Sequence, residues 1–261
     1  MINVELIKAE NVAKVYSNGQ GLQSASFSVK KGEFVGVVGK SGVGKTTLMR
    51  LLCGAIFPTS GSLTIFGTQM ETVKRGKLRQ LRNRIATVYQ NYNVIPCLDV
   101  ARNVILGRLS EASWYETVRR LALPTKAENE EIRTILTKLQ INEKMDERCQ
   151  ELSGGQQQRV AIARALYSHA DMYLVDEPIA SVDPTTANII LQTFQTLKQD
   201  GKTIIMNLHQ LDHALKYCDR ILMLDQGSVS FDGTPAEFLQ SSQYARLASA
   251  ENSNRRCRPY E

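Results

Sequence analysis

The run Gly39-Lys40-Ser41-Gly42-Val43-Gly44-Lys45-Thr46 fits the spacing G-x-x-x-x-G-K-[ST]. Glycines at those places let backbone N–H groups turn inward around phosphate oxygens. Lys45 supplies the charge that neutralises β- and γ-phosphates, and the Thr46 hydroxyl is a ligand type suited to Mg²⁺. A helix beginning at Thr47 would add its N-terminal partial charge at the same spot. Taken alone, these residues leave a glycine-rich turn with a solvated lysine as the alternative. A second group is the acid pair Asp176-Glu177, which closes the apolar run Met172-Tyr173-Leu174-Val175. Ligands of open α/β sheets bind at strand ends. Beside a phosphate loop, the first acid holds Mg²⁺ and the second polarises the attacking water as a general base. His209 stands just past another apolar run, Thr203-Ile204-Ile205-Met206, at the same kind of strand end.

These residues need elements to position them. Phe34–Val38, residues 172–175 and residues 203–206 are nearly all apolar and rich in β-branched side chains, as expected of parallel strands buried on both faces. Asp183-Pro184 opens a helix, with Asp as cap and Pro in the first turn. Ala187, Ile190, Leu191, Phe194 and Leu197 follow at helical spacing until Gly201. A second amphipathic helix is expected near residues 128–139. No strand pattern occurs between about residues 91 and 164, which predicts an inserted helical lobe. Residues 219–225 and 228–232 flank Gln226-Gly227 as a hairpin. The basic stretch 73–84 reads as an amphipathic helix with a solvated face, or as a contact for lipid headgroups or a membrane partner. Trp114 and Tyr115 read as lobe core or rim. The last dozen residues read as a frayed tail.

Composition narrows the class. A chain of 261 residues, 43% hydrophobic and 22% charged, builds one or two globular domains. No segment approaches the roughly 18 apolar residues of a membrane helix, and the N-terminal residues lack a signal-peptide layout, so the chain is expected in the cytosol. Five cysteines without a C-x-x-C pair and three histidines argue against disulfide frameworks and zinc clusters. The net charge of +6 suits nucleic acid, an anionic membrane surface or nucleotide phosphates, and does not choose among them.

Leu152-Ser153-Gly154-Gly155-Gln156, followed by Gln157-Gln158-Arg159-Val160-Ala161-Ile162-Ala163-Arg164-Ala165-Leu166, is a helix start with a glycine-rich, anion-binding cap. At this point the sequence resembles the ATP-binding cassette family, over roughly residues 4–240. The resemblance implies an α/β P-loop NTPase core, a mostly parallel sheet flanked by helices, with an antiparallel β subdomain and the helical lobe. It implies one cassette domain over 1–245, with the core at about 1–90 and 165–245, the lobe at about 91–164 and a flexible tail at 246–261. Gln90, in Val88-Tyr89-Gln90, looks like the glutamine that senses γ-phosphate and metal. His209 matches the family's switch histidine, and Ser181-Val182-Asp183 resembles a loop that crosses between subunits. Tyr16 sits where the family places an aromatic ring under adenine. The implied nucleotide contacts are Tyr16, Gly39, Ser41, Gly42, Gly44, Lys45, Thr46, Thr47, Ser153, Gly154, Gly155, Gln156 and Asp183. The implied metal ligands are Thr46, Gln90 and Asp176, and the implied catalytic group is Glu177, His209, Gln90 and Lys45, acting on ATP with Mg²⁺.

In that family a nucleotide lies between the phosphate loop of one cassette and the LSGGQ segment of another. One copy of each motif therefore implies a head-to-tail pair of two copies, with Ser153 and Gly155 donating to the partner's γ-phosphate. No membrane helix is fused, which is the layout of bacterial importers and of some export or lipoprotein-release systems. Asp176-Glu177-Pro178-Ile179-Ala180-Ser181-Val182-Asp183-Pro184 and residues 207–221 look most like phosphonate-import ATPases, a branch that also serves phosphite and related oxyanions. The expected partners are integral permease subunits, met around residues 92–106, and indirectly a solute-binding protein, at the cytoplasmic face of the cell membrane. Rival readings are a P-loop small-molecule kinase and a nucleic-acid-stimulated ATPase; the LSGGQ segment argues against the kinase.

Overall fold

The structure is a computed structural model and describes residues 5–17, 19–109, 113–180 and 182–256, with side chains to residue 249. The chain begins with strands β1 (Glu5–Val15), β2 (Gly21–Lys30) and β3 (Phe34–Val38), helix α1 (Lys45–Leu52), and strands β4 (Ser60–Ile65) and β5 (Thr68–Gln69). Next come α2 (Arg75–Asn83), β6 (Ile85–Val88), α3 (Val100–Ile105), α4 (Trp114–Ala122), α5 (Lys126–Lys138), α6 (Gly154–Tyr167), β7 (Met172–Asp176), α7 (Pro184–Gln199) and β8 (Thr203–Asn207). The chain continues through α8 (Leu211–Tyr217), β9 (Arg220–Asp225), β10 (Ser228–Gly233), α9 (Pro235–Leu239) and α10 (Ser242–Arg256). It divides into two compact units, Met1–Lys74 with Ile205–Glu261, and Arg75–Ile204, the division falling inside β8.

In the first unit the strands run in the order β5-β4-β1-β2-β10-β9-β3. β1 pairs antiparallel with β2 and β4 and is interrupted by bulges, one of them at Asn11, whose φ of 49° no regular strand accepts. β3 pairs parallel with β9, and all five of its residues are buried. Continuous burial explains the unbroken apolar run there, whereas β10, Ser-Val-Ser-Phe-Asp-Gly, mixes polar and apolar residues and is half-buried nearly throughout. Gln226 and Gly227, with φ of 48° and 75°, form the expected two-residue turn between β9 and β10.

In the second unit β6 and β7 pair in parallel, and every residue of β7 is buried. Between Gln90 and α6 the described residues hold helices and one isolated bridge, Asp99 to Arg148, but no strand. The helices start where their chemistry says they should. Asp183 caps α7, accepting from the N–H groups of Thr185 and Thr186 at 3.0 Å each. Ser113 and Glu116 form a capping box on α4, and Thr125 and Glu128 form one on α5. The expected helix at 128–139 is thus α5, entered two residues earlier, with Ile132 and Leu136 buried. In α2, Leu81 is buried while Arg75, Lys77, Arg79 and Arg82 are exposed, which matches the expected basic face. The chain is helical to Arg256, and residues 257–261, including Cys257, lie outside the described residues.

Candidate functional site

The phosphate loop lies between β3 and α1, in the first unit. Gly39 and Gly44 have φ of 146° and 108°. A Cβ on Gly39 would meet the Leu224 carbonyl oxygen at 2.4 Å, so only glycine fits. Lys45 is 5% exposed, and its Nζ donates to the Gly39 and Lys40 carbonyls at 2.6 and 3.0 Å. The loop thus wraps its own lysine and fixes the charge at the α1 N-terminus. No side chain caps that terminus, and no acid lies in its first turn. Its backbone N–H groups and Lys45 together make an anion site. Ser41 and Thr46 are exposed beside it, while Thr47 turns inward. His209 is exposed after β8, next to Leu208, whose N–H bonds the Val37 carbonyl at 3.0 Å. Tyr16 follows β1, partly exposed, its backbone closing a turn with Gln20 and Gly19.

The second unit carries the acids. Asp176 ends β7 and is 5% exposed. Glu177, the next residue, has φ of 52°, a left-handed conformation that costs a long side chain about 1–3 kcal/mol and clusters at functional sites. Gln90 Nε2 donates to Glu177 Oε2 at 3.1 Å. The two residues are 87 positions apart, and sequence reasoning assigned each a role without foreseeing that they touch. Because the amide nitrogen is spent on Glu177, the Gln90 carbonyl oxygen stays open to a cation. That amide oxygen and the Asp176 carboxylate are hard oxygen donors, a type that suits Mg²⁺ rather than a softer metal. No cluster of three or more histidine, cysteine or acidic side chains exists among the described residues, so a dedicated protein cage for a metal is absent from them.

Two residues missed by sequence reasoning hold the segment after Gln90. Tyr92 and Asn93 are both left-handed, with φ of 57° and 49°. Arg164, from α6, donates to both of their carbonyls, Nη2 to Tyr92 at 3.0 Å and Nη1 to Asn93 at 2.7 Å. Asn103, fully buried on α3, accepts from the Ile95 N–H at 2.8 Å and donates to the carbonyls of Ile95 and Asp99 at 3.0 Å each. Both looked like ordinary helical residues in sequence, because their partners are loop carbonyls.

At the other end of α6, Ser153 and Gln156 form a reciprocal capping box: Ser153 Oγ accepts from the Gln156 N–H at 3.3 Å, and Gln156 Oε1 from the Ser153 N–H at 2.8 Å. Ser153 and Gly154 are exposed, and Gly155 is half-buried. Hydrogen bonding from the Thr186 side chain first, then from the Thr186 and Thr185 N–H groups, holds the Asp183 carboxyl below the usual carboxylate range. Its neighbour Ser181 lies outside the described residues. Trp114 and Tyr115 are 79% and 66% exposed, so of the two expected positions, core and rim, the core is excluded.

A phosphate loop closed around a buried lysine, and a buried strand that ends at an acid pair, define a P-loop NTPase. The chain belongs to the ABC transporter family, whose pattern matches residues 22–180. It is 37% identical over 234 residues to the phosphonates import ATP-binding protein PhnC of Lactococcus lactis subsp. lactis, covering 89% of this chain and 94% of that one. It is 41% identical over 234 residues to the protein of the same name from Thiobacillus denitrificans, covering 88% of each. Among solved structures it is similar to the dimeric ABC transporter cassette MJ0796, with a TM-score of 0.79 and 30% identity over 88% of this chain and 98% of that one. A second structure of that cassette, in a post-hydrolysis state with ADP and Pi, matches with a TM-score of 0.73. The chain is therefore a nucleotide-binding cassette, the ATP-hydrolysing subunit of an ABC importer.

Proposed function

We propose that this cassette powers uptake of a phosphonate, phosphite or related phosphorus oxyanion, working at the cytoplasmic face of the cell membrane beneath a permease that it meets around residues 92–106. The solute class is supported by relatives that match about nine-tenths of the chain and are phosphonates import ATP-binding proteins. Nothing in the ATPase chemistry selects that solute, which falls to the permease and a solute-binding protein. The cassette occupies residues 1–245. Tyr16 stacks on adenine, and Gly39, Ser41, Gly42, Gly44, Lys45 and Thr47 surround the phosphates. Thr46, Gln90 and Asp176 hold Mg²⁺, which supplies neutralisation of charge on the transferred phosphoryl group. Glu177 takes the proton of the attacking water, while His209 and Gln90 read the γ-phosphate. Two copies pair head to tail, Ser153, Gly154, Gly155, Gln156 and Asp183 of each facing the nucleotide of the other, in keeping with the dimeric state of the MJ0796 cassette.

The observation that carries the catalytic assignment is Glu177: an acid in a strained backbone conformation, one residue past a buried strand, gripped by Gln90. The Glu177→Gln substitution keeps size and hydrogen bonding but removes the base. Steady-state hydrolysis is expected to fall roughly 10²–10⁴-fold with ATP affinity preserved. Turnover within twofold of the parent would remove Glu177 from the mechanism.

A further inference from the structure

The first glycine of the LSGGQ segment makes room for a ring from elsewhere in the second unit. A Cβ on Gly154 would lie 3.2 Å from the Tyr92 hydroxyl oxygen and 3.8 Å from Cε2 and Cζ of the same ring. Tyr92 thus rests, half-buried, against the start of α6. Its backbone is left-handed, with φ of 57°, a conformation that a bulky aromatic residue seldom takes and that marks functional positions. Hydrogen bonds make this ring and the catalytic residues one connected piece. The Tyr92 N–H bonds the Tyr89 carbonyl at 3.1 Å, closing a turn with Gln90 inside it. Arg164, further along α6, holds the carbonyls of Tyr92 and Asn93. Gln90 Nε2 donates to Glu177 Oε2 at 3.1 Å. The segment 89–93 is therefore fastened to α6 by a ring and by its backbone, and it reaches the acid after β7 through one amide.

We propose that Tyr92 is a positioning residue that couples the two nucleotide sites of the pair, making the hold of Gln90 on Glu177 follow the position of the LSGGQ segment. This role rests on the head-to-tail reading, in which Ser153 and Gly154 meet the nucleotide bound by the partner copy. A nucleotide docking there bears on the start of α6. The Tyr92 ring, with no side chain at residue 154 to keep it off, takes up the shift, and the turn at 89–92 passes it to Gln90. Glu177 of the same chain is aligned or released accordingly. Occupation of one site thereby sets the readiness of the base at the other, which is a coupling free energy between two distinct sites. Packed side chains and hydrogen-bond networks are what carry such coupling.

Turnover by the full chain is measured against ATP concentration, without permease, together with the urea midpoint and the nucleotide affinity of the monomer. Two coupled sites allow a Hill coefficient of up to about 2. Tyr92→Phe keeps the ring and is expected to keep both cooperativity and turnover. Tyr92→Ala is expected to bring the Hill coefficient to about 1 and to lower turnover at saturating ATP by roughly fivefold or more, with monomer affinity unchanged. Glycine suits the left-handed backbone better than alanine, so Tyr92→Gly is expected to regain urea midpoint relative to Tyr92→Ala without regaining cooperativity. That pair separates coupling from stability. A parent without cooperativity, alanine and glycine variants as cooperative as the parent, or a glycine variant in which cooperativity returns with the midpoint would overturn the proposal. So would Tyr92→Phe as impaired as Tyr92→Gly, since the ring would then not be the coupling element. Turnover by Ser153→Arg on its own would instead sink the head-to-tail reading.

Discussion

Arg164 does at the scale of one side chain what no motif records. Its guanidinium satisfies two carbonyls turned inward by consecutive left-handed residues, two positions after Gln90. Burial pushes its pKa below the usual guanidinium range, yet two charge-assisted bonds hold it in place. In Arg164→Ala both carbonyls lose their donor, at a cost of about 2–4 kcal/mol. The urea midpoint is expected to fall accordingly, with hydrolysis falling further than nucleotide affinity as Gln90 loses its grip on Glu177. Arg164→Lys, which keeps one donor, is expected to fall between the two; a variant with the parent's midpoint would show that the carbonyls find other partners. The contrast with Lys45 explains why one residue was legible and the other was not. Lys45 folds onto carbonyls five and six residues away, so its site is written in consecutive letters. Arg164 reaches 71 and 72 residues along the chain, and no local spacing encodes that.

Elements were legible where burial is uniform or a cap is explicit, as in β3, β7, β8 and α7. The antiparallel strands β1, β2 and β4 were not read individually, because their faces alternate between exposed and buried and bulges break the period. α4 shows the deeper limit: periodicity reveals that a helix has two faces but not which one is buried. Glu128 decided that, from another helix. The hydrogen bonds from Arg119, then those from Thr125, hold its carboxyl down at about 2. A group whose folded pKa lies below its unfolded value stabilises the fold fully above the unfolded value, near 4.5, and loses that contribution as pH falls toward 2. Acid titration from pH 5 to pH 2 is therefore expected to release α4, seen as a change in Trp114 emission. In Glu128→Gln the neutral-pH stability is expected to drop by about 1–3 kcal/mol and the acid response to shrink. An emission profile in Glu128→Gln identical to the parent's would mean that another group anchors the helix.

For the whole molecule, the consequential fact is arithmetic: one phosphate loop and one LSGGQ segment per chain, the latter exposing Ser153 and Gly154 at the start of α6. If two copies complete each other, damage to the two motifs is separable between chains. Ser153→Arg blocks the partner's nucleotide while leaving its own phosphate loop intact, so nucleotide binding by the monomer is expected to survive and hydrolysis to vanish. Lys45→Ala does the reverse, leaving Ser153 and its helix untouched. In a mixture, a heterodimer pairs the good phosphate loop of the first variant with the good LSGGQ segment of the second, and its other site is doubly broken. Random pairing makes half of the dimers heterodimers with one working site of two, so activity recovers to about a quarter of the parent's when the sites act independently. Head-to-head pairing would place each phosphate loop against its own kind and give no recovery. A mixture no more active than its two components measured apart would therefore reject the head-to-tail arrangement, and a Ser153→Arg chain that still turns over ATP alone would show that each protomer holds a complete site.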